Sequence, residues 1–198
     1  KSMLLAQASH DLRQPIHAIS LFTASLREEG LSATAKEMVE SIDKSLHSVA
    51  RLFRSLLDVS TLDSGKIAPC YEVISVDSLV SSIVSQNLKA AEWAGVRIRT
   101  IPSRKYVNGD PTLVSTMLQN LLSNAIKYAP RRPVLIGCTC HDNKLAIQVR
   151  DRGKGIAPQH LPHIYDEFYR ALDKGHDIDG VGLGLAIVRR LANLMNLT

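Results

Sequence analysis

Two apolar seams at heptad spacing occupy the first third of the chain, and they limit what it can fold into more than any other feature. Leu5, Leu12, Ile19 and Leu26 stand seven apart, while Val39, Ile42, Leu46, Val49, Phe53 and Leu56 advance in alternating steps of three and four. Such steps keep side chains on one stripe of an α-helix. Between the seams, Gly30-Leu31-Ser32 supplies a helix-ending glycine and then an N-capping serine, which predicts an antiparallel hairpin. Each helix has a stripe that it cannot bury alone. A hairpin of this kind is half of a four-helix bundle, so a twofold homodimer is expected.

The same period places His10 at an outer heptad position, b or f, whichever phase the seam takes. A surface histidine is ordinary by itself, but Asp11 gives this one a carboxylate able to hold one ring nitrogen protonated. The other nitrogen is then left with a free lone pair and nucleophilic character. Pro15 lies within the helical pattern, where a missing backbone hydrogen bond costs ~3 kcal/mol and bends the axis. His17 shares the face of His10 one heptad later, but Ala18 follows it and offers no carboxylate.

With 198 residues and 45% hydrophobic content, the chain has enough material for one ordinary domain and a smaller module. No apolar run approaches the ~20 residues needed to cross a bilayer, and Lys1-Ser2-Met3-Leu4-Leu5 lacks the core of a secretory signal. A cytoplasmic module without direct membrane contact is expected. The net charge of +5 comes from lysines and arginines spread along the chain without a dense cluster, which argues against nucleic acid as a partner. Three cysteines do not make a disulfide framework. Cys138, Cys140 and His141 lack the Cys-x-x-Cys spacing of zinc sites and read as strand residues, not metal ligands.

Gly65 and Pro69 end the second helical pattern, and a domain boundary is expected between Ser64 and Ser75. Beyond it, Val76 to Trp93 and Thr112 to Tyr128 read as helices. Val96 to Ile101, Tyr106 to Val107, Val134 to Cys140 and Leu145 to Val149 read as strands. Helices on one face of a mixed sheet make an α+β sandwich. On the second helix Asn120 and Asn124 stand four apart and share a face, with Lys127 three further on. Asp151-Arg152-Gly153-Lys154-Gly155-Ile156 follows a strand. Gly180-Val181-Gly182-Leu183-Gly184-Leu185 opens a last helix, whose amide terminus and dipole attract phosphate. A dinucleotide-binding βαβ unit is excluded because the glycine run lies too near the end of the chain. No Gly-Lys-Ser or Gly-Lys-Thr occurs, so a Walker site is excluded too.

Taken in order, these motifs resemble the catalytic core of sensor histidine kinases over nearly the whole chain. His10-Asp11-Leu12-Arg13-Gln14-Pro15 looks like the H-box, Asn120 to Tyr128 the N-box, and Asp151 to Gly155 the G1 box. Tyr165 to Arg170 looks like the F-box and Gly180 to Leu185 the G2 box, with an ATP lid between these two. The resemblance implies a dimeric four-helix-bundle hairpin over residues 1–68 and a Bergerat-type (GHKL) ATP-binding α/β sandwich over residues 69–198. It implies ATP and Mg²⁺, phosphorylation of His10 assisted by Asp11, and transfer to the receiver domain of a response regulator. Asn124 becomes the metal ligand, Asn120 its support, and Asp151 the acceptor for the adenine amino group. Lys127, Tyr128, Gly153, Gly155, Arg170, Gly180, Gly182, Gly184 and Leu185 complete the nucleotide site by the same resemblance. Gln14 departs from the commoner Thr or Asn that positions water for phosphatase action. The family domain continues past the G2 helix into a further strand or two, so terminal strands are expected to be missing. A kinase-inactive dimeric scaffold of the same fold is the alternative.

Overall fold

The computed structural model describes residues 18–26, 29–43, 45–46, 49–50, 68–142, 144–171 and 181–197. His10, Asp11, Gln14, Pro15, His17 and Gly180 lie outside the described residues, as do Leu5, Leu12, Phe53 and Leu56 of the seams. The chain falls into two compact units, one carried by residues up to Ile67 and a larger one that begins at Ala68. Among the described residues no helix is long and apolar enough to cross a membrane.

In the first unit residues 18–26 (α1) and 33–43 (α2) are helical. Ser32 caps α2 by accepting from the Ala35 N–H at 3.3 Å. Gly30 separates the helices without taking a left-handed φ, and a Cβ there would meet nothing within 4 Å, so this turn places no demand that only glycine meets. Thr23 is buried and its hydroxyl donates to Asp43 Oδ1 at 2.5 Å, tying α1 to α2.

The second unit runs β1 (Glu72–Ser75), α3 (Val76–Trp93), β2 (Ile98–Thr100), β3 (Tyr106–Gly109), α4 (Pro111–Tyr128), β4 (Val134–His141), β5 (Lys144–Arg150), a 3₁₀ turn (Pro158–His163) and α5 (Gly184–Leu194). Helix α3 starts at an N-cap, Ser75, and buries Val76, Leu79, Val80, Ile83, Asn87 and Ala91. Helix α4 buries Leu118, Leu122, Ala125 and Ile126. These faces meet the inner side of β4, where Val134 and Ile136 are fully buried. Asn87 is the polar exception, paired with Gln119 through hydrogen bonds of 2.8 and 3.1 Å and also donating to the Ile83 carbonyl. A buried amide pair with its bonds satisfied fixes the register of α3 on α4, and through it the placement of α4's polar face.

The helices pack on one face of a mixed sheet as expected, but Tyr106 and Val107 belong to a separate ladder. A three-stranded sheet has the order β2-β4-β5, parallel then antiparallel, while β3 pairs with β1 in a separate antiparallel ladder. Strand β2 covers three residues of the six expected: the Val96 N–H turns back to the Ala91 carbonyl, while the Ile101 N–H still donates to Ile136 of β4 at 3.0 Å just past the strand's end. Cys138 is half-buried and Cys140 exposed, with no group of three potential metal ligands among the described residues.

Asp110 is the N-cap of α4 and precedes Pro111, whose fixed φ suits a first helical position. Its carboxylate accepts from Thr112 and Leu113 N–H at 2.9 and 3.0 Å and from the Cys70 N–H at 2.9 Å. The bonds from Leu113 and Cys70, with that from Thr112, hold this buried carboxyl below its ordinary value of 3.8, against the opposing effect of burial. A depressed folded value stabilises the fold above the unfolded value and ceases to do so as pH falls through the folded one. Asp110→Ala is therefore expected to cost about 2 kcal/mol at neutral pH. That difference should shrink in strong acid, as read from urea unfolding; an equal difference at both pH values would contradict the assigned role.

Candidate active site

Because α4 turns its apolar residues toward the core, its other face carries Asn120 and Asn124, both half-buried. Asn120 Nδ2 donates to the Thr116 carbonyl at 2.9 Å, which orients the amide. Among the described residues the Asn124 side chain makes no hydrogen bond. The first residue of α5, Gly184, lies against this face: a methyl group placed on it would stand 3.0 Å from Asn120 Oδ1 and 3.7 Å from Asn124 Nδ2. A side chain there would crowd the Asn120 amide, which glycine avoids. Helix α5 is anchored by buried Ala186, Ile187, Val188 and Leu191, and no side chain caps its N-terminus. The amides of its first turn are thus available to an anion beside two side-chain amides. Leu185 follows Gly184 and is half-buried.

At the far end of α4 the G1 loop is wedged against the helix. A Cβ on Gly153 would fall 2.5 Å from the Tyr128 carbonyl oxygen, while Asp151 Oδ1 accepts the Gly153 N–H at 2.7 Å. Gly155 has φ +72 with nothing within 4 Å of a Cβ position, so its requirement is conformational and the space beside it is open. Lys127 Nζ lies 4.9 Å above the Tyr128 ring, a cation–π contact at the start of the same loop contact.

The segment before the lid is joined to the segment after it by contacts that the sequence did not reveal. Phe168 N–H donates to the Gly182 carbonyl at 3.1 Å, and a Cβ on Gly182, at φ +78, would stand 2.7 Å from the Tyr169 carbonyl oxygen. Glu167 pairs with Arg190, and Arg189 sits 5.8 Å over the Tyr165 ring. Tyr169 OH is 2.7 Å from His160 Nδ1. Phe168 is 54% exposed with φ +62, a left-handed backbone that is uncommon outside glycine. Arg170 is half-buried.

The structure therefore brings Gly184 to Asn120 and Asn124, Gly153 to Tyr128, and Gly182 to the F-box. The donor set fits a hard divalent cation that retains waters and bridges phosphates, since a neutral amide oxygen is available from Asn124 and the anion site lies alongside.

Residues 1–65 match the family model of the His Kinase A (phospho-acceptor) domain. Residues 109–198 match that of the histidine kinase-, DNA gyrase B-, and HSP90-like ATPases. The chain belongs to the sensor histidine kinases and carries their catalytic core. It is 35% identical over 193 residues to the sensor-like histidine kinase SenX3 of Mycobacterium tuberculosis, covering 95% of this chain and 47% of that protein. It is 34% identical over 196 residues to the sensor protein QseC of Salmonella typhimurium, covering 98% and 42%. The chain thus spans about half the length of these relatives. Its fold matches full-length ShkA with a TM-score of 0.78 at 24% identity, over 99% of this chain and 42% of ShkA.

Proposed function

We propose that this chain transfers the γ-phosphoryl group of ATP to His10 and that a receiver-domain aspartate of a response regulator then accepts it. In the first step the imidazole–phosphorus bond forms, the bond from Pγ to the ADP oxygen breaks, and the ring ends with one proton fewer. Asp11 holds the ring tautomer and assists as general base. Gln14 is the candidate for orienting water in the reverse, phosphatase sense. The observation that carries the reading is the α5 amide terminus set against Asn120 and Asn124, in a chain whose first 65 residues match a phospho-acceptor domain.

Residues 69–198 are proposed as the nucleotide domain. Asn124 would hold Mg²⁺ with Asn120 beside it; the ion's contribution when bound is to offset phosphate charge. Asp151 would accept from the adenine amino group. Tyr128, Gly153 and Gly155 would line the base pocket, and Lys127, Arg170, Gly180, Gly182, Gly184 and Leu185 would surround the phosphates. AMPPNP in the crystal structure of ShkA supports a nucleotide in this fold.

Residues 1–68 are proposed as a homodimeric phosphotransfer hairpin. In the single chain Ile19, Leu26, Ile42 and Val49 of the seam are each more than 40% exposed, which a second copy of the hairpin would cover. A cytoplasmic setting suits a protein that uses ATP and a receiver domain.

Incubation with γ-labelled ATP tests the reading. Label that survives base and is lost in acid is expected; turnover without label would place the chain among plain ATPases. The G1 wedge gives a second expectation. Gly153→Ala, which drives a methyl into the Tyr128 carbonyl, should weaken ATP binding by about tenfold or more, ~1.4 kcal/mol. Gly155→Ala has room and bears mainly the strain of a left-handed residue, about 1 kcal/mol. Calorimetry finding the two variants equally impaired would contradict the wedge.

A further inference from the structure

The fold gathers arginines that the sequence scatters. Arg97 precedes β2 and Arg99 is its middle residue, Arg131 and Arg132 form the α4–β4 turn, and Arg150 ends β5 with Arg152 two residues on. Three backbone and side-chain bonds knit these segments together at one end of the sheet. The Arg131 N–H donates to the Ala94 carbonyl, the Val134 N–H to the Arg97 carbonyl, and Arg132 Nη1 to the Arg152 carbonyl at 3.0 Å. The reading of the basic residues as dispersed is corrected here: all six side chains are exposed, and among the described residues none forms an ion pair.

Register shows how they are aimed. Arg99 and Arg150 both stand opposite Leu135, on either side of it, so the three share the face of the sheet that turns away from the helices. Two strand spacings put the arginine backbones about 10 Å apart. They border a groove of about 490 Å³ lined by Arg99, Arg150, Arg152, Pro133, Val134 and Leu135, with Asp151 at its edge. Asp151 is the sole acidic residue of this lining, and its Oδ1 is turned back to the Gly153 N–H. Arg150 Nε is held by Gln148 Oε1 at 2.9 Å, and Gln148 in turn by Thr139 at 3.1 Å, so this guanidinium is pre-oriented with further N–H groups to spare. Like charges collected on one face disfavour the isolated fold, and an oriented guanidinium matches a carboxylate in a two-pronged geometry.

We propose that this groove is a docking surface for an acidic protein segment, an extended run of Asp or Glu interrupted by an apolar residue. The carboxylates meet Arg99, Arg150 and Arg152, and the apolar side chain lies on Leu135 and Pro133. The charge of the walls and the apolar floor select such a segment over nucleic acid, because no aromatic side chain lines the groove for a base to stack on. They select it over a membrane because the site is a concavity and not an amphipathic helix. The groove shares Asp151 with the proposed adenine site, but Arg99 and Arg150, the residues the test alters, are assigned no part in nucleotide binding.

The test uses the full chain and a fluorescein-labelled peptide of glutamates with leucine at every third position, followed by anisotropy. Saturable binding that weakens with salt is expected. It should fall by about tenfold or more in Arg99→Glu/Arg150→Glu, with thermal unfolding and ATP affinity kept at wild-type values. Arg99→Gln/Arg150→Gln gives the same readout should the double reversal fail to fold. No saturable binding, or equal binding by the folded variant, overturns the proposal. So does tighter binding, through the same arginines, of a single-stranded oligonucleotide or of phosphatidylserine vesicles than of the peptide.

Discussion

His10→Gln is expected to abolish labelling from γ-labelled ATP while ATP affinity stays at the wild-type value. A glutamine amide has no nucleophilic nitrogen lone pair, so the acceptor is removed outright and not merely weakened. The nucleotide residues lie on α4, the G1 loop and α5, all in the unit that begins at Ala68, and no part of that unit is altered. Binding measured by calorimetry and labelling measured on the same preparation should therefore separate completely. Labelling that persists in the variant would assign the acceptor elsewhere, with His17 first in line, and would remove the role given to the His10-Asp11 pair.

Asn124→Ala is expected to slow labelling by about a hundredfold at a Mg²⁺ concentration that saturates the wild type. The fold should hold, because Asn124 is half-buried on the polar face of α4 while Leu122, Ala125 and Ile126 carry the packing. The informative measurement is a Mg²⁺ titration of the labelling rate. A metal ligand shifts the midpoint upward, whereas a residue that only shapes the base pocket leaves the midpoint alone and raises the ATP requirement. An unchanged midpoint would transfer the metal to Asn120, whose amide is already engaged by the Thr116 carbonyl.

Helices α3 and α4 were legible because each carries a local signal. A stripe of period 3.6 spans Val76–Trp93 as expected, and α4 starts one residue early only because Pro111 takes its first position. Strand β1 was not legible: four residues, two of them exposed, fell where a boundary was expected, and their partner β3 lies some thirty residues on. Long-range pairing leaves no trace in either segment. The same holds for the arginine end of the sheet, assembled from residues 97–99, 131–132 and 150–152 by pairing alone. Phe168 shows a different limit, since hydrophobicity says nothing of a backbone at φ +62. In the candidate site, the spacing of Asn120 and Asn124 and the two glycine motifs were readable as chemistry. The approach of Gly184 to the asparagines, and the clamp of Glu167 on Arg190, join distant segments and required the fold.

Mapping the phosphate on the wild-type chain tests the central claim most directly. The protein is incubated with ATP and Mg²⁺, digested at neutral to alkaline pH, and its peptides sequenced by mass spectrometry. One phosphorylated site is predicted, on the His10 imidazole, stable in base and lost on brief acid treatment. Phosphate on another side chain, or ATP consumed with every His10 peptide unmodified, would contradict the account.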